Sequence, residues 1–198
     1  MATSIKALAV VLSGGKSQRF HYSKALAVYR NEYFLNIILG KLKNLKNVKT
    51  VIVIEEDSIK EISEKINLST YSIILQTDNN SKQIDSLRLA IEKNRQFDYY
   101  LVWPVDFPLV KKTTIEKLLY MTTGIKADIF SPYFENRKGH PFIFSRKVSK
   151  IIMKMEKNIP LYEVFKNTNI VKETVDIEDE FIHCNINTQS KLREIDAR

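Results

Sequence analysis

Apolar runs rich in valine and isoleucine alternate along the chain with stretches whose apolar residues recur every three or four positions. The runs are typical of buried parallel strands, and the periodic stretches are typical of helices with one buried face. Their alternation predicts an α/β fold with a Rossmann-like, mostly parallel sheet and helices on both faces. Because no repeat, linker or low-complexity tract interrupts the pattern, we expect residues 1–198 to form a single domain.

Each predicted element follows from the period of its apolar residues and from the turn residues that bound it. The predicted strands are Ile5–Leu12, Val51–Ile54, Tyr71–Gln76, Tyr99–Trp103, Ala127–Ser131, Phe142–Phe144 and Ile170–Val175, and Phe181–Ile186 is a further short apolar piece. The predicted helices are Glu32–Leu45, Ile59–Ile66, Ile84–Ile91, one ending near Met121, one from Ser145 to Met155, Leu161–Phe165, and one from about Thr188. Ser58, Thr113 or Thr114, and Ser145 are the expected helix caps.

Composition narrows the class of protein. The chain is 44% hydrophobic and 27% charged, and no apolar run approaches the roughly 20 residues of a membrane span. Its single cysteine, Cys184, allows no internal disulfide, which favours a cytoplasmic location. We expect Cys184 to be a buried small apolar residue. Three scattered histidines and one cysteine make no zinc site.

The net charge of +8 raises the question of nucleic-acid binding. The lysines, however, are spread along predicted helices as solvated faces, for example Lys41, Lys43, Lys46 and Lys49, and no RNA- or DNA-binding motif is present. We therefore expect no nucleic-acid or membrane partner. A basic surface also suits a polyphosphate ligand.

Two features follow predicted strands directly, where open parallel sheets bind their ligands. One is the segment Leu12–Phe20, in which two of the five glycines stand side by side and Lys16, Arg19 and, beyond it, Lys24 supply cations for a triphosphate. The other is Asp106, between Pro104 and Pro108. The spacing matches neither a Walker loop nor a dinucleotide fingerprint, so the residues alone leave an ordinary Gly-Gly turn open.

Five segments in order resemble motifs of the nucleotidyltransferases related to molybdenum-cofactor cytidylyltransferase and guanylyltransferase. They are Leu-Ser-Gly-Gly-Lys-Ser-Gln-Arg-Phe (12–20) with Lys24, Gln-Thr-Asp-Asn with Asp-Ser-Leu-Arg (76–88), Val-Asp-Phe-Pro-Leu (105–109), Gly-His-Pro-Phe-Ile-Phe (139–144) and Asn-Ile-Asn-Thr (185–188). The likeness spans roughly residues 7–192. It implies the three-layer sandwich of the nucleotide-diphospho-sugar transferases.

The resemblance also implies a role for individual residues. The residues expected to bind the nucleotide are Leu12, Ser13, Gly14, Gly15, Lys16, Ser17 and Ser86. Arg19 and Lys24 would neutralise the phosphates, and Asp106 would hold Mg²⁺ with Asn187 as a second ligand. The acceptor's phosphate or hydroxyl would then attack the α-phosphate and release pyrophosphate. His140 would shape the acceptor pocket.

The chain departs from the family pattern at four positions. Val105 replaces a glycine, His21 replaces another, and Asn185 and Asn187 stand where aspartates are usual. An amide oxygen ligates Mg²⁺ without contributing charge, so we expect a weaker second metal contact. The Gly-His-Pro segment favours CTP as the nucleotide, with GTP next because of the Gly14-Gly15 pair.

The sequence leaves three other functions open. One is a sugar- or alcohol-phosphate nucleotidyltransferase, and another is a catalytically weak, nucleotide-binding regulatory protein, which the two asparagines suggest. The third is a basic nucleic-acid-binding module. For the leading function we expect an NTP and a small phosphorylated or hydroxylated acceptor as partners, and a monomer or weak homo-oligomer.

Overall fold

A computed structural model describes residues 5–13, 23–78, 82–156 and 159–196. Within these residues the strands are β1 Ala7–Leu12, β2 Val28–Tyr29, β3 Glu32–Tyr33, β4 Val48–Glu55, β5 Ser72–Gln76, β6 Tyr99–Pro104, β7 Ile129–Phe134, β8 Arg137–Lys138, β9 Phe142–Ser145 and β10 Lys172–Asp176. The α-helices are α1 Phe34–Leu42, α2 Ile59–Lys65, α3 Gln83–Lys93, α4 Lys112–Gly124, α5 Arg146–Lys154 and α6 Gln189–Asp196. Short 3₁₀ helices span Lys24–Leu26, Glu56–Ser58, Leu161–Lys166 and Glu180–His183.

The main sheet has the strand order β10-β7-β9-β6-β1-β4-β5, and β8 pairs with β7 at its side. Strand β9 runs antiparallel to both of its neighbours, β6 and β7. The pairs β10-β7, β6-β1, β1-β4 and β4-β5 are parallel. The mostly parallel sheet predicted from the sequence is therefore confirmed.

Buried side chains on both faces of the sheet make three layers. In β1, Ala9 and Val11 pack with residues of α1, α2, α4 and α6 in one core cluster. Leu8, Val10 and Leu12 point the other way and pack with α3 and α5. This alternation follows from the two-residue period of a strand, and it explains why every residue of β1 is apolar.

The helix predicted over Glu32–Leu45 is wrong at both ends. Glu32 and Tyr33 pair instead with Val28 and Tyr29 in a two-stranded hairpin. Arg30 and Asn31 form its turn with φ of 47° and 65°, which matches the right-handed twist of the flanking strands. The helix ends at Leu42, and Asn44 then adopts a left-handed conformation that terminates it.

The predicted cap residues are also wrong in their contacts. Ser58 is the cap residue of α2, as predicted, but it is the last residue of a 3₁₀ helix and its side chain makes no cap hydrogen bond. Thr113 and Thr114 lie inside α4, whose cap residue is Lys111. Ser145 does stand before α5, but its hydroxyl donates to Asp128 Oδ1 at 3.1 Å. A nearby carboxylate competes with the helix end for that hydroxyl.

Two further interpretations need correction. Lys43, Lys46 and Lys49 are exposed as expected, but Lys41 is half-buried. Cys184 is only partly buried at the edge of a core cluster. No helix in the described part of the chain has the length and apolar character to cross a bilayer.

Candidate active site

Strands β1 and β6 are neighbours, so the segments that follow them meet at one edge of the sheet. Leu12 pairs with Pro104, and Val105 N donates to Leu12 O at 3.0 Å. Ser13 N donates to Val53 O on the other side at 2.9 Å. The sequence predicted this meeting of the first loop with the Asp106 segment, and the sheet order confirms it.

Asp106 and Lys24 lie together at this edge. Lys24 Nζ is 3.6 Å from Asp106 Oδ2, and both side chains are largely buried. The same ammonium donates a hydrogen bond to Asn187 Oδ1. Residues 185–187 reach the site because Ile186 N donates to the backbone oxygen of Asp106 at 2.8 Å. Three predicted site residues from distant parts of the chain therefore converge.

Within the described residues, four buried side-chain atoms have no hydrogen-bond partner: Ser13 Oγ, Gln76 Oε1, Asp106 Oδ1 and Asn185 Oδ1. All four follow or end a strand at the carboxyl edge, or lie on the segment tied to Asp106. Leaving a buried polar atom unpaired costs about 1–3 kcal/mol, so native folds rarely leave several together without a ligand. This edge is therefore arranged to bind polar groups.

Asp106 and Asn185 fit a hard divalent cation. Both offer a buried oxygen without an internal partner, and Mg²⁺ prefers oxygen ligands. Asn187, the predicted second ligand, instead accepts from Lys24. Among the described residues no group of three or more His, Cys, Asp or Glu side chains forms a metal site. One carboxylate plus substrate phosphates is, however, an ordinary way to bind Mg²⁺.

Three successive carbonyl oxygens hold the Asp106 loop in place. Ile186 N donates to the oxygen of Asp106 at 2.8 Å, and Trp103 Nε1 donates to that of Phe107 at 3.0 Å. Lys41 Nζ, from α1, donates to the oxygen of Pro108 at 2.6 Å. The donors come from the C-terminal segment, the strand β6 and a helix. The backbone around the Asp106 carboxylate is thus fixed on three sides.

Asp179 fixes the far end of the same loop, and the sequence reasoning missed it. Its Oδ2 accepts from Lys111 N at 2.8 Å and from Thr114 Oγ1 at 2.7 Å, and its Oδ1 accepts from Phe181 N at 3.1 Å. The side chain is buried. It lies between Glu178 and Glu180, so nothing in the acidic run distinguishes it from its exposed neighbours.

His140 forms the wall beside Asp106. Its ring stacks on Phe107, with 4.6 Å between centroids, and meets Phe142 edge-on. Burial lowers the pKa of His140 below its usual 6.5, although the charge of Asp106 opposes that shift. His140 N donates to Ile182 O at 2.9 Å, which joins this turn to the C-terminal segment. The neutral His140 ring therefore contributes an apolar, aromatic surface beside Asp106.

The remaining predicted residues divide by position. Leu12 is buried at the end of β1, and Ser86 is buried in the first turn of α3, which begins at the same edge of the sheet. The predicted residues Gly14, Gly15, Lys16, Ser17 and Arg19, and the departure at His21, lie outside the described residues. Gln76 was part of a recognised motif, and its unpaired Oε1 now marks it as a site residue.

The layered sheet and its polar carboxyl edge define the class of nucleotide-binding α/β transferases. The family described as the MobA-like NTP transferase domain matches residues 9–172. The chain belongs to this family, and it is therefore a nucleotidyltransferase.

Two curated relatives support the assignment. A probable molybdenum cofactor guanylyltransferase of Clostridium perfringens (strain 13 / Type A) is 30% identical over 157 residues, covering 77% of this chain and 72% of the relative. A probable molybdenum cofactor guanylyltransferase of Methanocaldococcus jannaschii is 26% identical over 204 residues, covering 85% and 97%.

Solved structures show the same fold at lower identity. The crystal structure of Rv0371c from Mycobacterium tuberculosis has a TM-score of 0.83 at 18% identity, covering 99% of this chain and 100% of that one. Its complex with manganese has a TM-score of 0.77 at 18% identity, with coverages of 96% and 97%. The predicted three-layer fold is confirmed.

Proposed function

We propose that this nucleotidyltransferase transfers GMP from GTP to a molybdopterin-type acceptor, with Mg²⁺, and releases pyrophosphate. The observation behind the proposal is the set of unpaired buried atoms at the carboxyl edge, which includes Asp106 Oδ1 and Asn185 Oδ1, together with the Lys24 ammonium 3.6 Å from Asp106 Oδ2. Carboxylate, amide oxygen and ammonium together match the needs of a metal-bound polyphosphate.

The spacing of the unpaired atoms suits a nucleotide. Gln76 ends β5 and Asp106 follows β6, and the order β5-β4-β1-β6 separates them by three strand spacings, roughly 14 Å. Ser13, after β1, lies between them. A nucleoside triphosphate is long enough to place its base near Gln76 and its phosphates near Asp106 and Lys24. Backbone groups of the predicted loop, Gly14 and Gly15, would then face the phosphates between the two.

Each polar residue has a distinct task in this arrangement. Asp106 and Asn185 would hold Mg²⁺, whose positive charge would offset that of the phosphate oxygens. The Lys24 ammonium, with Arg19, would stabilise the charge that develops at the α-phosphate as the acceptor oxygen attacks and pyrophosphate leaves. Asn187 orients Lys24 through its amide oxygen. No side chain has to act as a nucleophile, because positioning and charge supply the catalysis.

The relatives favour guanine as the base. Gln76 Oε1 is a hydrogen-bond acceptor, which suits an amino group on guanine or on cytosine alike. Both curated relatives, however, bear the name of guanylyltransferases. We therefore place GTP ahead of the CTP that the Gly-His-Pro segment favoured. The unpaired oxygen of Asn185 also argues for a retained ligand rather than for a weakened regulatory protein.

Thermal unfolding with each of GTP, CTP, ATP and UTP plus Mg²⁺ tests the proposal on wild type and Asp106→Asn. A ligand at 100 times its dissociation constant adds about 2.7 kcal/mol to the free energy of unfolding, so the right nucleotide shifts the midpoint clearly. We expect GTP to give the largest shift and the variant to lose most of it. Release of pyrophosphate from GTP on addition of molybdopterin then identifies the acceptor.

One control variant and one further test variant complete the experiment. Asp98→Asn changes a carboxylate at the opposite edge of the sheet and should leave the GTP shift intact. Gln76→Met keeps the side-chain volume but removes the acceptor, and should weaken GTP binding about tenfold. A larger shift with CTP would replace GTP in the proposal, and no shift with any triphosphate would refute it.

A further inference from the structure

Lys41 is the one charged donor among the three groups that hold the carbonyls of the Asp106 loop. Its Nζ lies 2.6 Å from Pro108 O, whereas the other two donors are a backbone amide and an indole N–H. The lysine is on α1, and 67 residues separate it from Pro108. This contact therefore links a core helix directly to the loop that presents Asp106.

The surroundings of Lys41 are those of an interior group. Burial lowers the pKa of its ammonium from 10.5 to about 8, even though the negative charges of Asp179 and Glu32 act to raise it. Asp179 is itself the residue that holds Lys111 and Thr114 at the end of the loop. Lys41 and Asp179 thus each hold a part of the segment from Asp106 to Lys111, through Pro108 O and Lys111 N respectively.

A lysine at this position costs stability that an apolar side chain would not. Withdrawing an ammonium from water is unfavourable unless hydrogen bonds and opposite charges compensate. Lys43, which directly follows the same helix, shows the ordinary alternative, because its side chain is exposed. The half-buried Lys41 ammonium therefore has a specific task, which is to fix one carbonyl of the loop that carries Asp106.

We propose that Lys41 is a positioning residue, which sets the orientation of the Asp106 carboxylate by tying Pro108 to α1. It would act through the Pro108 carbonyl and not by contact with the nucleotide or the metal. This inference rests on the proposed function, since it assigns Asp106 to a metal. Groups that orient metal ligands typically change metal affinity 10- to 100-fold when they are removed.

The test measures Mn²⁺ binding in the presence of GTP, by electron paramagnetic resonance, for wild type, Lys41→Met, Lys41→Arg and Lys43→Met. Lys41→Met keeps the length of the side chain but loses charge and donor, and we expect its dissociation constant for Mn²⁺ to rise about tenfold. Lys41→Arg keeps both and should stay within about threefold of wild type. Lys43→Met should match wild type. Lys41→Gln, which keeps an N–H donor, replaces Lys41→Met if that variant does not fold.

Hydrogen exchange separates this inference from the proposed function. The Phe107 and Lys111 amides are hydrogen-bonded in the loop, and without any ligand they should exchange faster in Lys41→Met than in Lys43→Met. If wild type binds no metal-GTP, the proposed function fails, and the exchange rates still decide whether Lys41 fixes the loop. Equal exchange and equal Mn²⁺ affinity in the two methionine variants would overturn the inference.

Discussion

Carboxylates at the two edges of the sheet differ in how fully they are hydrogen-bonded. At the amino edge, Asp98 accepts from Lys6 N and Arg146 Nη2, each at 3.0 Å. Asp128, also at that edge, accepts from Ser145, Lys147 and Val171. At the carboxyl edge, Asp106 Oδ1 is buried without a partner, as are three other polar atoms.

This contrast separates structural from functional polar groups. A carboxylate whose lone pairs are all used inside the protein stabilises the fold. One that is buried and left unpaired costs stability, and a ligand is needed to recover it. Substitutions at the two edges should therefore have opposite effects on stability and on activity.

The largest effect is expected at the carboxyl edge. Asp106→Asn should lower kcat/KM for pyrophosphate release about 10³-fold, because the proposed Mg²⁺ would lose its carboxylate ligand and could no longer offset the charge that develops on the phosphate. The melting temperature should change little, since the lost Lys24 contact is 3.6 Å long and Asp106 Oδ1 is buried without a partner. Steady-state kinetics and calorimetry on the same preparation measure both. A large loss of stability in Asp106→Asn would contradict the proposed difference between the two edges.

The next effect is expected at the amino edge. Asp128→Ala should lower the free energy of unfolding by about 2 kcal/mol, because it removes the acceptor of Ser145 and of the Val171 amide and one of the two acceptors of Lys147. Burial alone would raise the pKa of Asp128, but these hydrogen bonds outweigh it and hold that pKa below its usual 3.8. The stabilisation is therefore present above pH 4 and lost at lower pH. Denaturant titration measures it, and an accompanying fall in kcat/KM would contradict the division.

The smallest effect concerns His140, beside Asp106. Burial lowers its pKa in the folded protein, whereas the unfolded chain keeps a value near 6.5. Between these two values the unfolded chain binds a proton that the folded protein does not, so stability falls as the pH is lowered. His140→Phe keeps a ring against Phe107 and removes the titration, and should flatten the stability curve below pH 6.5. Parallel curves for the two proteins would show that His140 does not titrate in this way.

Sequence patterns predicted the regular part of the fold well. Strand β1 is apolar at every position, and both of its faces proved to be buried, as a central parallel strand requires. The hairpin at Arg30 and Asn31 was missed because two-residue strands have no measurable period. The expected cap hydrogen bonds are absent for another reason. Thr114 donates instead to Asp179, and Ser145 donates to Asp128, and neither carboxylate belongs to the helix concerned. The expected single domain and cytoplasmic location stay predictions.

Residues of the site were predictable from the sequence where they belong to a motif and were missed where they do not. Asp106, Lys24 and Asn187 belong to motifs with a recognisable spacing, and the structure brings them together. Lys41 and Asp179 belong to no motif, and in the sequence each is one charged residue among several. Only the fold shows that both residues hold the loop that follows Asp106.

Gly139 shows how strictly one contact limits this fold. A Cβ built there would lie 2.5 Å from the carbonyl oxygen of Ile182 and 2.7 Å from its Cβ. The obstacle includes main chain, so a smaller residue at 182 would not relieve it. In a lineage that keeps residues 182–187 against this turn, position 139 can accept no side chain, and no second substitution at 182 can compensate. A substitution of Gly139 would therefore be expected only together with loss of the C-terminal segment or a change in its path.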